Sequence, residues 1–225
     1  MKTRPALLLT ILSSTLVFAQ APSAPSKKFD FESDTPGKLP SGFSTALTGA
    51  GGPVHWEIKE DATSPSGKKV LAQTSADPTD YRFPLAVLND VNAADVELSV
   101  RIRPVSGRVD QGAGLIWRYQ NDNNYYIVRA NALENNVVLY KVQNGRRTDL
   151  PLRGLGRTYG KPATVPSGQW SVLAVTARGS QFQVSFNGQK LYDVDDTTFT
   201  SPGRVGLWTK ADSVMYFDDF TITIP

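Results

Sequence analysis

The feature that most constrains this chain is alternation. Val96, Leu98, Val100 and Ile102 alternate with Glu97, Ser99, Arg101 and Arg103. Phe182, Val184 and Phe186 alternate with Gln181, Gln183 and Ser185, and Val54, Trp56 and Ile58 with His55, Glu57 and Lys59. Near the end, Phe220, Ile222 and Ile224 alternate with Thr221 and Thr223. A period of two sends successive side chains to opposite faces, so each run predicts a half-buried β-strand. From Phe29 onward no stretch offers a competing helical period. Asn144-Gly145 and Asn187-Gly188 follow apolar runs, and Asn-Gly supplies the positive φ angles of a type I′ hairpin turn. Short strands joined by frequent turns predict an all-β antiparallel sandwich. A parallel sheet would need crossover helices that the pattern does not provide.

Composition restricts the chemistry. Cysteine is absent, which excludes disulfides, thiol catalysis and thiolate metal sites. The single histidine, His55, excludes a multi-histidine metal centre within one chain. It falls on the polar side of a predicted strand, the ordinary place for a surface residue. No G-x-S-x-G elbow is present. Gly154-Leu155-Gly156 lacks the strand and helix that a phosphate-binding loop requires.

The first residues predict an export signal over 1–19. Lys2 and Arg4 precede an apolar run from Ala6 to Ala19, and small residues end it. The run is shorter than the ~20 residues of a spanning helix, so the mature form is expected to lack a membrane span. Removal takes two of the 24 basic residues, against 21 acidic ones. The remaining charge is nearly balanced and makes no case for nucleic acid. Residues 20–28 (QAPSAPSKK) read as a linker and 29–225 as one domain, placed in the periplasm or outside the cell. The connection Leu150 to Gln169 is rich in Gly and Pro and unusually long for a compact domain.

From Phe29 onward the chain resembles the concanavalin A-like lectin/glucanase superfamily. Within it, the chain is most similar to exported bacterial domains of the 3-keto-disaccharide hydrolase family, which are also described as family 16 glycoside hydrolase-like or laminin G-like. The likeness is carried by Phe29-Asp30-Phe31-Glu32 with Pro36-Gly37, and by Gly114-Leu115-Ile116-Trp117-Arg118. Asn123-Asn124-Tyr125-Tyr126 with Arg129 and Asn131 continues it, as does Trp170 with Asn187-Gly188. Val205 to Ser213 and Phe217-Asp218-Asp219-Phe220 close it. The resemblance implies a jelly roll of two curved antiparallel sheets whose concave face carries any saccharide site. The E-x-D-x-x-E pattern of jelly-roll glucanases is absent: Glu32-Ser33-Asp34 is followed by the turn Thr35-Pro36-Gly37.

On that face a sugar needs aromatic planes and planar polar groups. Alternation groups Arg118 with Gly114, Arg129 and Asn131 with Tyr125, and Trp208 with Gly206 and Lys210. These six (Arg118, Tyr125, Arg129, Asn131, Trp208 and Lys210) are the candidate carbohydrate contacts, with the glycines expected to leave Arg118 and Trp208 uncovered. The same arginines have Glu97 and Glu134 as alternative partners on adjacent strands. Glu134, beside Arg129 and Asn131, is the candidate catalytic carboxylate. Trp117 and Trp170 are expected in the core. Arg146, Arg147, Arg153, Arg157 and Lys161 form a basic segment suited to an acidic glycan or a cell-surface polymer. Asp30, Glu32, Asp218 and Asp219, on the first and last strands, are candidate ligands of a structural calcium; no other cofactor is expected. The leading expectation is a lectin-like carbohydrate-binding domain, the alternatives a 3-keto-disaccharide-type hydrolase and a laminin G-like protein-interaction module.

Overall fold

The structure is a computed structural model that describes Met1 and residues 25–225. The export signal lies outside the described residues apart from Met1. Sixteen strands run through the chain and no helix occurs among the described residues. They are β1 (Ser26–Phe29), β2 (Phe43–Gly49), β3 (Trp56–Glu60), β4 (Lys69–Gln73), β5 (Arg82–Ala93), β6 (Val96–Ser106), β7 (Gly112–Asn121) and β8 (Asn124–Asn131). There follow β9 (Asn136–Gln143), β10 (Arg146–Asp149), β11 (Lys161–Pro162), β12 (Ser171–Arg178), β13 (Gln181–Phe186), β14 (Gln189–Asp195), β15 (Gly203–Thr209) and β16 (Val214–Thr223). One sheet has the order β14-β13-β12-β6-β16-β4-β3, with β1 also on β16. The second has the order β10-β9-β8-β7-β15-β5-β2, with β11 also on β9. All pairings between these strands are antiparallel. The expected all-β sandwich is the fold. Ser26–Phe29 pairs with β16, so the segment read as a linker already contributes a strand.

Both Asn-Gly pairs form hairpin turns with positive φ at each residue: 52° and 75° at 144–145, 48° and 77° at 187–188. The main core lies between the sheets and gathers Leu98, Val100, Leu115, Trp117, Leu173, Val184, Leu207 and Phe217. Trp117 stacks on Tyr126 with ring centroids 5.4 Å apart. Trp170 departs from expectation. It is only partly buried, and its indole Nε1 donates to Thr63 Oγ1 at 3.2 Å. Its position at the mouth of β12 lets the polar edge of the ring reach a neighbouring loop.

The second sheet is strongly curled. In its strand order β10 and β5 stand five spacings apart, about 24 Å if the sheet were flat. Yet the Tyr81 hydroxyl, just before β5, donates to Gly145 O at 2.9 Å and accepts from Arg147 N at 2.6 Å. Thr48 on β2 likewise reaches the Tyr125 hydroxyl on β8 at 2.8 Å. The face turned away from the main core therefore folds onto itself. It buries a second core of Phe83, Leu85, Val87, Ile116, Tyr125, Ile127, Val138, Tyr140, Val142 and Trp208.

Candidate functional site

The register of three neighbouring strands brings the polar residues of the curled face to one end. Asn131 pairs with Gly112 and Arg129 with Gly114 across β8 and β7; Trp208 pairs with Gly114 across β15 and β7. Arg129, Asn131, Trp208 and Lys210 thus project from the same face. Gly112 makes their convergence possible: a Cβ there would stand 2.9 Å from Asp110 Oδ1, 3.6 Å from the Trp208 ring and 3.7 Å from Arg129 Cδ.

A continuous chain of charges and hydrogen bonds results. Lys210 Nζ lies 2.6 Å from Asp80 Oδ1 and 2.9 Å from Asp110 Oδ2. Asn131 Nδ2 donates to Asp110 Oδ1 at 2.7 Å and to Glu134 Oε1 at 3.1 Å. Arg129 Nη2 donates to Glu134 Oε2 at 2.7 Å and to the Tyr140 hydroxyl at 3.1 Å, and Arg129 Nη1 bonds Asn136. Tyr140 donates in turn to the Tyr159 hydroxyl at 3.0 Å. Arg129 is 1% exposed and Asp110 2% exposed, so these charges are buried and need the partners they have. Asp80, Tyr81, Leu133, Glu134 and Tyr159 form an exposed rim. A separate open groove of about 540 Å³ is lined by Pro78, Arg108, Val109 and Asp212, without Asp110.

The electrostatics separate the two carboxyls that share Asn131. Burial pushes the Asp110 carboxyl above the usual carboxylate range, and Lys210 restrains that rise. Burial also raises Glu134, but Arg129 outweighs it and holds the carboxyl below its ordinary value. Burial pushes the Tyr140 hydroxyl up, against the pull of Arg129 and Arg147. Lys210 loses hydration but is held protonated by Asp80 and Asp110.

Four of the residues read from sequence, Arg129, Asn131, Glu134 and Lys210, meet here. Three do not supply the surface expected of them. Trp208 is 0% exposed, stacked on Phe83 with centroids 5.2 Å apart, so it is floor rather than an open plane. Arg118 leaves the face altogether. Its φ is 49° at a break in register, and the guanidinium turns to the carbonyls of Ala94, Phe199 and Gly179 at 2.6–2.7 Å. The glycines beside them leave no gap: a Cβ on Gly114 would stand 2.5 Å from Ile127 Cδ1, and one on Gly206 2.2 Å from Ala86 O. Tyr125 lies in the floor with its hydroxyl at Thr48.

The basic segment is dispersed. Arg153 pairs with Asp195 and Arg157 with Asp149, while Lys161 Nζ donates to Leu191 O at 3.2 Å. Arg146 is exposed, and only Arg147 enters the curled face. The proposed calcium ligands do not converge either. Among the described residues no group of three or more His, Asp or Glu stands as a metal site. Glu32 Oε1 accepts the amides of Lys68 and Lys69 at 2.8 and 2.7 Å. Asp30 caps the Glu32 amide, Asp218 accepts the Ser64 and Ser66 hydroxyls, and Asp219 pairs with Lys28 and Arg101. Each carboxylate has already found donors within the fold.

Sequence reasoning missed Asp110, Tyr140, Tyr159 and Asp80. Tyr140 carried a signal, since it alternates with Val138 and Val142 in the run before Asn144-Gly145. The other three lie in turns and connections, where alternation gives no direction.

Comparison with known proteins supplies the family and fold. No curated protein matches the sequence. Among solved structures, the carbohydrate-binding module CBM66 from Bacillus subtilis superposes with a TM-score of 0.62 at 18% identity, covering 81% of this chain and 95% of that one. The cellulose-induced protein Cip1 gives 0.64 at 15% identity, covering 88% and 97%. Domain 4 of AbnA, an extracellular arabinanase from Geobacillus stearothermophilus solved with arabinotriose, gives 0.52 at 15% identity, covering 90% and 94%. These likenesses establish the jelly-roll sandwich. Residues 37–223, nearly all of the described domain, match one family, and the chain accordingly belongs to the 3-keto-alpha-glucoside-1,2-lyase-like domain family.

Proposed function

We propose that this protein is an exported carbohydrate-binding sandwich that holds a glycan at the polar end of its curled sheet. The observation that carries the reading is the convergence of Arg129, Asn131, Glu134, Tyr140 and Tyr159 beside an exposed rim. Planar amide, guanidinium and carboxylate groups fixed by one another orient sugar hydroxyls, and aromatic rings at the rim take C–H faces. The names of CBM66 and of the arabinotriose-bearing domain accord with it. A neutral chain or an acidic cell-surface polymer would both satisfy this reading. Export rests on the basic start and short apolar run of residues 1–19.

A second reading is favoured by the opposed shifts of Asp110 and Glu134. Two carboxyls pushed apart are the arrangement an acid–base pair requires. In a 3-keto-glucoside the C3 carbonyl acidifies the hydrogen on C2. An ionised Glu134 would take that proton as the bond from C1 to its oxygen substituent breaks, and Asp110 would protonate the departing oxygen.

A glycan microarray together with turnover of a 3-keto-glucoside tests both. Binding without turnover, weakened about tenfold or more by Glu134→Gln through loss of charge-assisted bonds, is the expected outcome. Turnover abolished by Glu134→Gln would establish the second reading. A folded protein that neither binds nor turns over any glycan would refute both.

A further inference from the structure

One cation of the curled face lacks a direct ion pair among the described residues. Lys210 is matched by Asp80 and Asp110, and Arg129 by Glu134. Arg147 forms no ion pair among the described residues; Asp149, two positions along β10, pairs with Arg157 through Oδ1. Its guanidinium carbon lies instead over aromatic rings, 4.6 Å from the centroid of Tyr140, 4.7 Å from Phe83 and 5.8 Å from Trp208. These contacts locate the guanidinium but leave its N–H edges for an acceptor lying in its plane. Arg147 Nη1 is buried without an acceptor, and so is Nε of Arg129, whose guanidinium also lies over Tyr140 at 5.8 Å. In a folded protein such N–H groups are met by water or by a ligand.

We propose that the curled face recognises a glycan bearing a carboxylate, a uronic-acid residue, and that Arg147 is the residue that reads it. The inference rests on the glycan-binding reading and names its substrate class. A carboxylate presents two oxygens in one plane, which matches the guanidinium fork. It also supplies the direct ion pair that Arg147 lacks, since Asp80 acts on Arg147 only through space and is bonded to Lys210. Arg147 is half-buried and stands at the rim, where its own amide is bonded by the exposed Tyr81. Arg146, exposed on the same strand, carries equal charge without the aromatic seat and is the internal control.

The test is calorimetric titration with galacturonate, glucuronate and mannuronate oligosaccharides, each beside its methyl ester, and with neutral and sulfated oligosaccharides. At least one acid should bind about ten- to a hundredfold more tightly than its ester, the range of a charge-assisted hydrogen bond. Arg147→Gln should erase that preference while Arg146→Gln keeps it, with circular dichroism establishing that both are folded. If Arg147→Gln does not fold, Arg147→Lys, which keeps the charge and loses the fork, should reduce the preference. Equal binding of acid and ester, an unchanged preference in Arg147→Gln or, where that variant does not fold, in Arg147→Lys, or a sulfated sugar that binds as well would overturn the assignment. Neutral glycans bound without acid preference would leave the carbohydrate-binding reading intact; binding of nothing would remove both.

Discussion

Replacing Trp208 by alanine distinguishes a floor residue from a ligand platform. The side chain is 0% exposed, lies on Phe83 and is capped by the Arg147 guanidinium. Truncation of a buried Trp leaves a cavity and costs about 3–5 kcal/mol. Gly206 and Gly114 beside it hold their backbones against neighbouring strands, so collapse into the void is resisted and the upper part of that range is expected. In a domain of this size each kcal/mol moves the melting temperature by about 2–4 °C, so the loss converts to about 6–20 °C. Thermal unfolding followed by circular dichroism measures it directly. The tryptophan emission of the native state should lose a buried, water-shielded component in parallel. A variant that melts with the wild type yet loses glycan binding would refute the reasoning, since it would mean that the ring faces ligand in solution and that the curled face is more open than its packing indicates.

Two further outcomes follow from single side chains. Arg118→Ala strips the donors from three carbonyls, those of Ala94, Phe199 and Gly179, and should lower the unfolding free energy by about 3 kcal/mol or more in urea titration while leaving glycan affinity unchanged; equal stability would count against it. The Asp77 carboxyl is held at about 2 by the Thr79 hydroxyl and by the amides of Gly52 and Thr79. Its stabilisation is complete above the unfolded value of about 3.9 and is lost as pH falls through the folded one. Carboxyl NMR titration should show the low value, and Thr79→Val should raise it; an ordinary value in the wild type would contradict the bonding seen around Asp77.

Regular strands told the truth about direction, and irregular backbone did not. Arg129, Asn131 and Lys210 follow strands whose register is intact at the site, so counting by twos placed them correctly. Arg118 fails the same count because the backbone enters the left-handed region at that residue, and a change of hand reverses a side chain without altering the apolar pattern around it. Trp208 departs from the count for a longer-range reason. Alternation distinguishes two faces of a sheet but not whether the wetter one is folded over itself. Tyr125, Ile127, Val138, Tyr140 and Val142 make β8 and β9 apolar on both faces, and that double burial is the trace that curling leaves in the sequence. Asp110 sits in a turn, and its meeting with Lys210 depends on two strands not adjacent in sequence.

The three carbonyls gathered by Arg118 belong to separate connections: β5 to β6, β12 to β13, and the approach to β15. A single guanidinium therefore couples three loops that share no sequence neighbourhood. Their lengths are not independent variables, because an insertion in any one of them pulls a carbonyl off the common hub and leaves the cation short of acceptors. That pole of the sandwich is a poor place to graft a peptide, cut the chain for circular permutation or fuse a partner. The exposed turn at Gly154 to Gly156, where added side-chain atoms would meet nothing within 4 Å at either glycine, is where a protein engineer should insert.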